Sequence, residues 1–279
     1  MQEEIIERII LKTVDIPPLP SVALKVMGLI NDDHASITAL EDIISRDQGF
    51  ATRLLRIANS PYYGRDRKIE NISQAILLIG FETLKSLVIA TSLRDLHRRF
   101  GVFEQRLWEH SLGVALCASL LAMVTRVVTP DEALVCGLIH DVGKTVINNV
   151  MPEVYIKVYE KMYEEKRPVI EIENEVLGFN HTIIGNLIAK KWKLPEKMEM
   201  AITYHHEYPY PSHEDPAFAD TCNIVRVADQ ICLSLGIGLK VPFEVNIDYE
   251  SIGMNEEGIK ELIGLFKIKF EQQKEFLLS

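Results

Sequence analysis

Five of the eight histidines, His110, His140, His181, His205 and His206, fall within or beside apolar helical sequence. A single imidazole there is an ordinary core residue once one neighbour shares a hydrogen bond with it, but burying five unpaired rings is costly. Imidazole nitrogen and carboxylate oxygen together suit borderline-hard divalent ions: iron, manganese, zinc or nickel, with iron and manganese favoured. Two acids stand in the right company. Asp141 directly follows His140, so it can bridge two ions at a helix end while its neighbour ligates one. Asp229, in Val225-Arg226-Val227-Ala228-Asp229, is a lone acid in an apolar helix and the natural partner on the opposite wall. Each signal is weak alone, and a His-Asp pair is common in unrelated chains. The joint order is specific: His; His-Asp followed by Val-Gly-Lys; His with Gly four residues later; His-His-Glu; then Asp.

The elements that must position these groups read as helices, because apolar residues recur at helical spacing and strand alternation is nearly absent. Residues 2–13 form a short amphipathic helix in this reading, and Pro17, Pro18 and Pro20 force an extended turn. Ser21 caps the next helix, which turns Val22, Val26, Leu29 and Ile30 inward. A helix over 38–45 carries Thr38 and Glu41 at capping-box spacing, with Leu40, Ile43 and Ile44 facing the core. Helices follow over 50–58, over a short stretch begun by Ser73 and stopped by Gly80, and over 81–98.

In the second half, metal-ligand side chains enter otherwise apolar helices. The stretch 108–124 contains His110. Thr129 caps a helix with Pro130 at its first position and Asp131 and Glu132 at the positive dipole end; it runs to His140-Asp141, and Gly143 helps end it. Further helices are expected over 152–166, 169–177, 181–192, 195–205, 217–235 and 256–276.

Composition narrows the class. With 279 residues, 47% hydrophobic and 25% charged, the chain can bury a substantial core. No run of about 18 consecutive apolar residues and no signal-peptide pattern is seen, so a cytoplasmic protein without a membrane span is expected. Cys117, Cys136, Cys222 and Cys232 form no CxxC pair and read as reduced core thiols. A net charge of -10 argues against nucleic-acid binding, although Arg94, Arg98 and Arg99 form a local basic cluster, most simply a solvated helix end. His34, His97 and His213 read as surface groups. Tyr62, Tyr63, Tyr208 and Tyr210 either line a groove or pack turns beside proline, and Glu207 either supports a ligand from behind or is solvated.

The order of His and Asp residues resembles the HD phosphohydrolase superfamily, and His181, His205, His206 and Asp229 together look like its HD-GYP branch, whose members hydrolyse cyclic dinucleotides at a two- or three-metal site. Ile16-Pro17-Pro18-Leu19-Pro20, the helix end at Asp47, Leu54-Leu55-Arg56-Ile57-Ala58-Asn59-Ser60 and the run from Ser73-Gln74-Ala75-Ile76 to Leu78-Ile79-Gly80 resemble the HDOD family, over about residues 15–235. HDOD proteins are regarded as bacterial signalling output modules, many of which have lost catalytic residues. The resemblance implies an all-α chain: an HDOD helical subdomain over 1–100, an HD-like metal-binding core over 101–240, and a C-terminal extension with a helix over 241–279.

It also implies a ligand set. One ion would be held by His110, His140, Asp141 and Asp229, and a second by Asp141, His181, His205 and His206. Two such ions can activate water and clamp a phosphodiester, with Asp141 and Lys144 as the catalytic candidates and Lys144 reaching a phosphate oxygen; otherwise Lys144 is a surface lysine after a helix. Three departures weigh against turnover. Arg106 replaces the glutamate expected one turn before the first histidine in trinuclear relatives, Tyr208-Pro209-Tyr210-Pro211 replaces the Gly-Tyr-Pro tail, and the apolar Ile231-Cys232-Leu233-Ser234-Leu235 replaces a basic, substrate-gripping segment. The expectation is therefore a signalling module acting on protein partners in trans or through a nucleotide or phosphate-ester ligand, with a homodimer to be considered. A metal-dependent phosphodiesterase is the alternative.

Overall fold

The computed structural model describes residues 36–59, 68–80, 101–211 and 214–278, together with Lys25, Val26, Leu29 and Leu84. The described residues form helices and contain no strand, as the apolar periodicity predicts. The helices expected over 2–13 and 81–98, the proline turn, the three-arginine cluster, Tyr62, Tyr63, His34, His97 and His213 lie outside the described residues.

Among the described residues, three complete helices precede residue 101. Helix α1 spans Ile37–Ser45, and its N-cap is Ser36, whose hydroxyl accepts the Ala39 N–H at 3.2 Å. Thr38 therefore lies inside the helix rather than capping it, and Leu40 and Ile44 are buried while Ile43 is half-buried. Helix α2, Gln48–Ala58, begins where Asp47 Oδ1 accepts the Phe50 N–H at 2.9 Å, and it buries Phe50, Leu54 and Ala58 at fourfold spacing. Helix α3, Ile72–Ile79, is capped by Asn71, which accepts the Gln74 N–H at 2.8 Å; the Ser73 hydroxyl instead bonds Glu41 on α1. Gly80, at φ +83°, closes it. The three helices pack on one another.

The longer part is built around α4, Val102–Thr125, which packs along α5 (Pro130–Ile139), α11 (Ala219–Leu235) and α12 (Glu256–Leu278). Helix α4 reaches the length and hydropathy of a membrane span, yet most of that stretch is buried inside the bundle, as expected of a core helix. Thr129 caps α5 through the Glu132 N–H at 3.4 Å, with Pro130 at the first helical position. Then come α6 (Val142–Val150), α7 (Pro152–Glu165), α8 (Val169–Leu177), α9 (His181–Trp192) and α10 (Glu196–Tyr204). All four cysteines are buried and free.

Helix α6 departs from the sequence reading. Gly143 does not end α5; it lies in the first turn of α6, which starts directly after Asp141. A Cβ at Gly143 would fall 1.9 Å from the His181 carbonyl oxygen, so glycine is needed for α6 and α9 to touch. Gly185 serves the neighbouring contact of α9 with α10, since a Cβ there would meet Ile202 at 2.4 Å. The glycine four residues after His181 thus lets the helices carrying Asp141, His181 and His205 approach one another.

Candidate metal centre

Seven side chains from six helices and their ends converge. His110 comes from the third turn of α4, His140 and Asp141 from the junction of α5 and α6, His181 from the first residue of α9, His205 and His206 from the C-terminal end of α10, and Asp229 from the middle of α11. All are buried except His206, which is half-buried. They fall into two groups whose candidate ligand atoms lie within 4.8 Å of one another: His110, His140 and Asp229, and Asp141, His181, His205 and His206.

Asp141 links the groups. Its Oδ2 lies 3.3 Å from His140 Nε2 and 3.7 Å from His110 Nε2, while Oδ1 lies 3.3 Å from His181 Nε2 and 3.6 Å from His205 Nε2. The position follows from local geometry, because Asp141 is the N-cap residue of α6 and makes no side-chain cap bond, so its carboxylate is free to face inward.

The outer nitrogens of the rings are tied to acceptors. His140 Nδ1 donates to the Gly137 carbonyl at 2.7 Å, His205 Nδ1 to the Ile202 carbonyl at 3.0 Å, and His181 Nδ1 to Glu173 Oε2 at 2.6 Å. A proton on Nδ1 leaves Nε2 of each ring directed to the pocket, the orientation that metal-ligating imidazoles adopt. His181 Nε2 and His205 Nε2 then face each other at 3.4 Å, an arrangement that a cation between them would relieve. Two buried atoms, His140 Nε2 and Asp141 Oδ1, have no hydrogen-bond partner among the described residues. A cation is what these donors lack, so the residues present fit divalent metal ions.

Electrostatics agrees. Burial alone would push the Asp141 carboxyl up, but His140 and Lys144 hold it well below the usual carboxylate range. Asp229 is likewise lowered against burial, through its contact with His110. Burial opposes a proton on His110, yet Asp229 at 2.9 Å raises its pKa; both ring nitrogens face acceptors, the second being the Ile237 carbonyl at 3.2 Å. His140 and His206 are lowered by burial. The two carboxylates thus keep their charge in the site, and burial favours the neutral rings of His140 and His206.

Lys144 is neither a surface lysine nor beyond a helix end. It lies inside α6, 5% exposed, with Nζ 2.7 Å from Asp141 Oδ2. Burial works against its charge, but the Asp141 carboxylate outweighs that and raises its pKa. One further residue escaped sequence reasoning. Glu173 of α8 is fully buried, orients His181 through both its backbone N–H and its ring, and accepts the Tyr155 hydroxyl at 2.6 Å. Glu207, by contrast, is exposed. Tyr208 is exposed with the Arg226 guanidinium 4.2 Å above its ring, and Tyr210 packs on Tyr204, so these tyrosines pack the turn and do not line the cavity beside the cluster.

An all-helical bundle around a buried, convergent His and Asp cluster defines the class. The family model described as HDOD domain matches residues 16–208, and the chain belongs to that family. The chain is similar to a Treponema pallidum protein of unassigned function, 26% identical over 264 residues, which are 93% of this chain and 47% of that one. The chain spans under half the length of the curated relatives it matches. Among solved structures, an HDOD domain protein of unknown function from Geobacter sulfurreducens is similar at 25% identity and a TM-score of 0.76, covering 99% of this chain and 96% of that one. Two others share the fold: a candidate phosphohydrolase from Shewanella amazonensis at 22% identity and TM-score 0.71, covering 97% of both chains, and a candidate signal transduction protein from Marinobacter aquaeolei at 19% and 0.74, covering 95% of this chain and 60% of that one.

Proposed function

We propose that this HDOD chain is a cytoplasmic signalling output module with a dinuclear metal site, acting by binding a ligand or a protein partner in trans. The observation that carries the reading is the position of Asp141, with one carboxylate oxygen toward each of two groups of imidazoles. His110, His140, Asp141 and Asp229 would hold one ion and Asp141, His181, His205 and His206 the other, with iron or manganese favoured over zinc or nickel. The helical part over 1–100, beside the metal-bearing part over 101–240, would present the partner surface, and 241–279 would extend the core.

A second reading, a metal-dependent phosphodiesterase acting on a cyclic dinucleotide or related phosphate ester, is favoured by one specific observation: Lys144 is buried beside Asp141 and lines the cavity next to the cluster. Two ions at such a site would supply Lewis-acid activation of a phosphodiester and of water. In that reaction Asp141 orients the cluster and Lys144 holds a phosphate oxygen.

Incubating metal-replete protein with a panel of cyclic nucleotides separates the readings. The module yields saturable binding or partner capture without turnover, whereas linear, chelator-sensitive product supports the enzyme.

A further inference from the structure

The cavity beside the cluster measures about 140 Å³ and is partly open to solvent. Its lining divides by chemistry. Asp141, His110, His206 and Asp229 belong to the metal cluster, and Lys144 and Arg106 add positive charge. Arg106 Nη1 pairs with Glu109 at 2.7 Å, and its side chain is 48% exposed. The remaining wall is largely apolar: Met162 from α7, Val169 at the start of α8, Leu233 from α11, and Leu239, Val241 and Phe243 from the segment that follows. The apolar run at 231–235 therefore has a consequence, since its Leu233 faces the cavity in place of a basic residue.

We infer that this cavity binds a phosphate monoester carrying one compact apolar group, with the phosphate against the metal cluster, Lys144 and Arg106, and the apolar group against Leu233, Leu239, Val241 and Phe243. Both halves of the lining are needed for the argument. Charge at one part selects an anion, and a phosphate suits Arg106 because guanidinium N–H groups pair with phosphate oxygens. The apolar wall offers almost no donors or acceptors for reading a base edge, Gln230 and Tyr159 being the exceptions. A ligand with two purines would leave most of its polar edges without partners against this wall.

The inference rests on the dinuclear reading, and the experiment keeps the two apart. Metal content is measured first, and protein that takes up no ion refutes the dinuclear reading itself. Metal-replete wild-type protein is then titrated calorimetrically with phenyl phosphate, inorganic phosphate and a cyclic dinucleotide. Phenyl phosphate should bind about tenfold more tightly than inorganic phosphate, the worth of roughly 55 Å² of apolar surface removed from water. Leu233→Ser, with Val241→Ser as a second variant, should erase most of that preference and leave inorganic phosphate affinity unchanged, whereas Arg106→Gln should weaken both probes. Equal affinity for the two phosphates, no binding of either, tighter binding of the cyclic dinucleotide, or a preference that survives both serine variants would overturn the inference while leaving the metal site standing.

Discussion

Helices α1–α3 and the bundle from α4 to α11 are built by the same helical rules, yet they treat polar groups differently. In α1–α3 the buried positions are apolar throughout, and polar side chains such as Ser36, Asp47 and Asn71 cap helix ends at the surface. Among the described residues, every buried polar or charged side chain lies between Glu109 and Asp229. A region that needs only to fold has no reason to bury a lysine, two histidine-bound carboxylates and four imidazoles, because each costs solvation unless something compensates it. The contrast separates the part whose sequence is explained by packing from the part whose sequence needs a ligand.

The largest effect expected from breaking that contrast is at Asp141. Asp141→Ala should remove metal from both groups and leave the Lys144 ammonium buried without its carboxylate, lowering stability by about 3–5 kcal/mol. Urea denaturation with parallel metal analysis reads both losses, and retention of metal would show that Asp141 is not shared. In the other region, Leu40→Ala should destabilise by about 2–5 kcal/mol through the cavity it opens, with metal content per folded chain unchanged. If that change also released metal, the two regions would not be separable in the way argued.

Finer changes sharpen the comparison. Glu173→Ala frees the His181 ring and should weaken metal affinity by about 10- to 100-fold, measured by competition with a chelator of known affinity. An unaltered affinity would mean that the lone-pair orientation of His181 is fixed by packing alone. Ser36→Ala, which removes the α1 cap, should cost about 1 kcal/mol in denaturant melts and leave the metal untouched.

The sequence revealed the all-helical class, most helix bounds and the seven residues that converge, because capped ends and lone polar residues in apolar helices stand out. Thr129-Pro130 and Asn180-His181 announce helix starts by chemistry that needs no tertiary context. Helix α6 was hidden, since Val142 to Val150 mixes glycine, β-branched residues and two asparagines, all poor helix formers, and packing against α9, α7 and α4 holds it. Thr38 and Ser73 were read as helix starts when Ser36 and Asn71 supply the caps, a shift that local spacing cannot settle because several hydroxyl and amide side chains compete at each end. Glu173 was invisible for another reason. It is one of three glutamates within Val169–Leu177, and nothing in that stretch distinguishes the buried acid from the solvated ones until α8 is laid against α9.

Metal stoichiometry tests the central claim most directly. Protein prepared without oxygen and analysed by plasma mass spectrometry should carry about two divalent ions per chain, falling to about one in His110→Ala and in His181→Ala, because each variant strips a different group of donors around the shared carboxylate. An ion-free wild type that cannot be loaded with iron or manganese, or a wild type whose content both histidine variants leave unchanged, would contradict it.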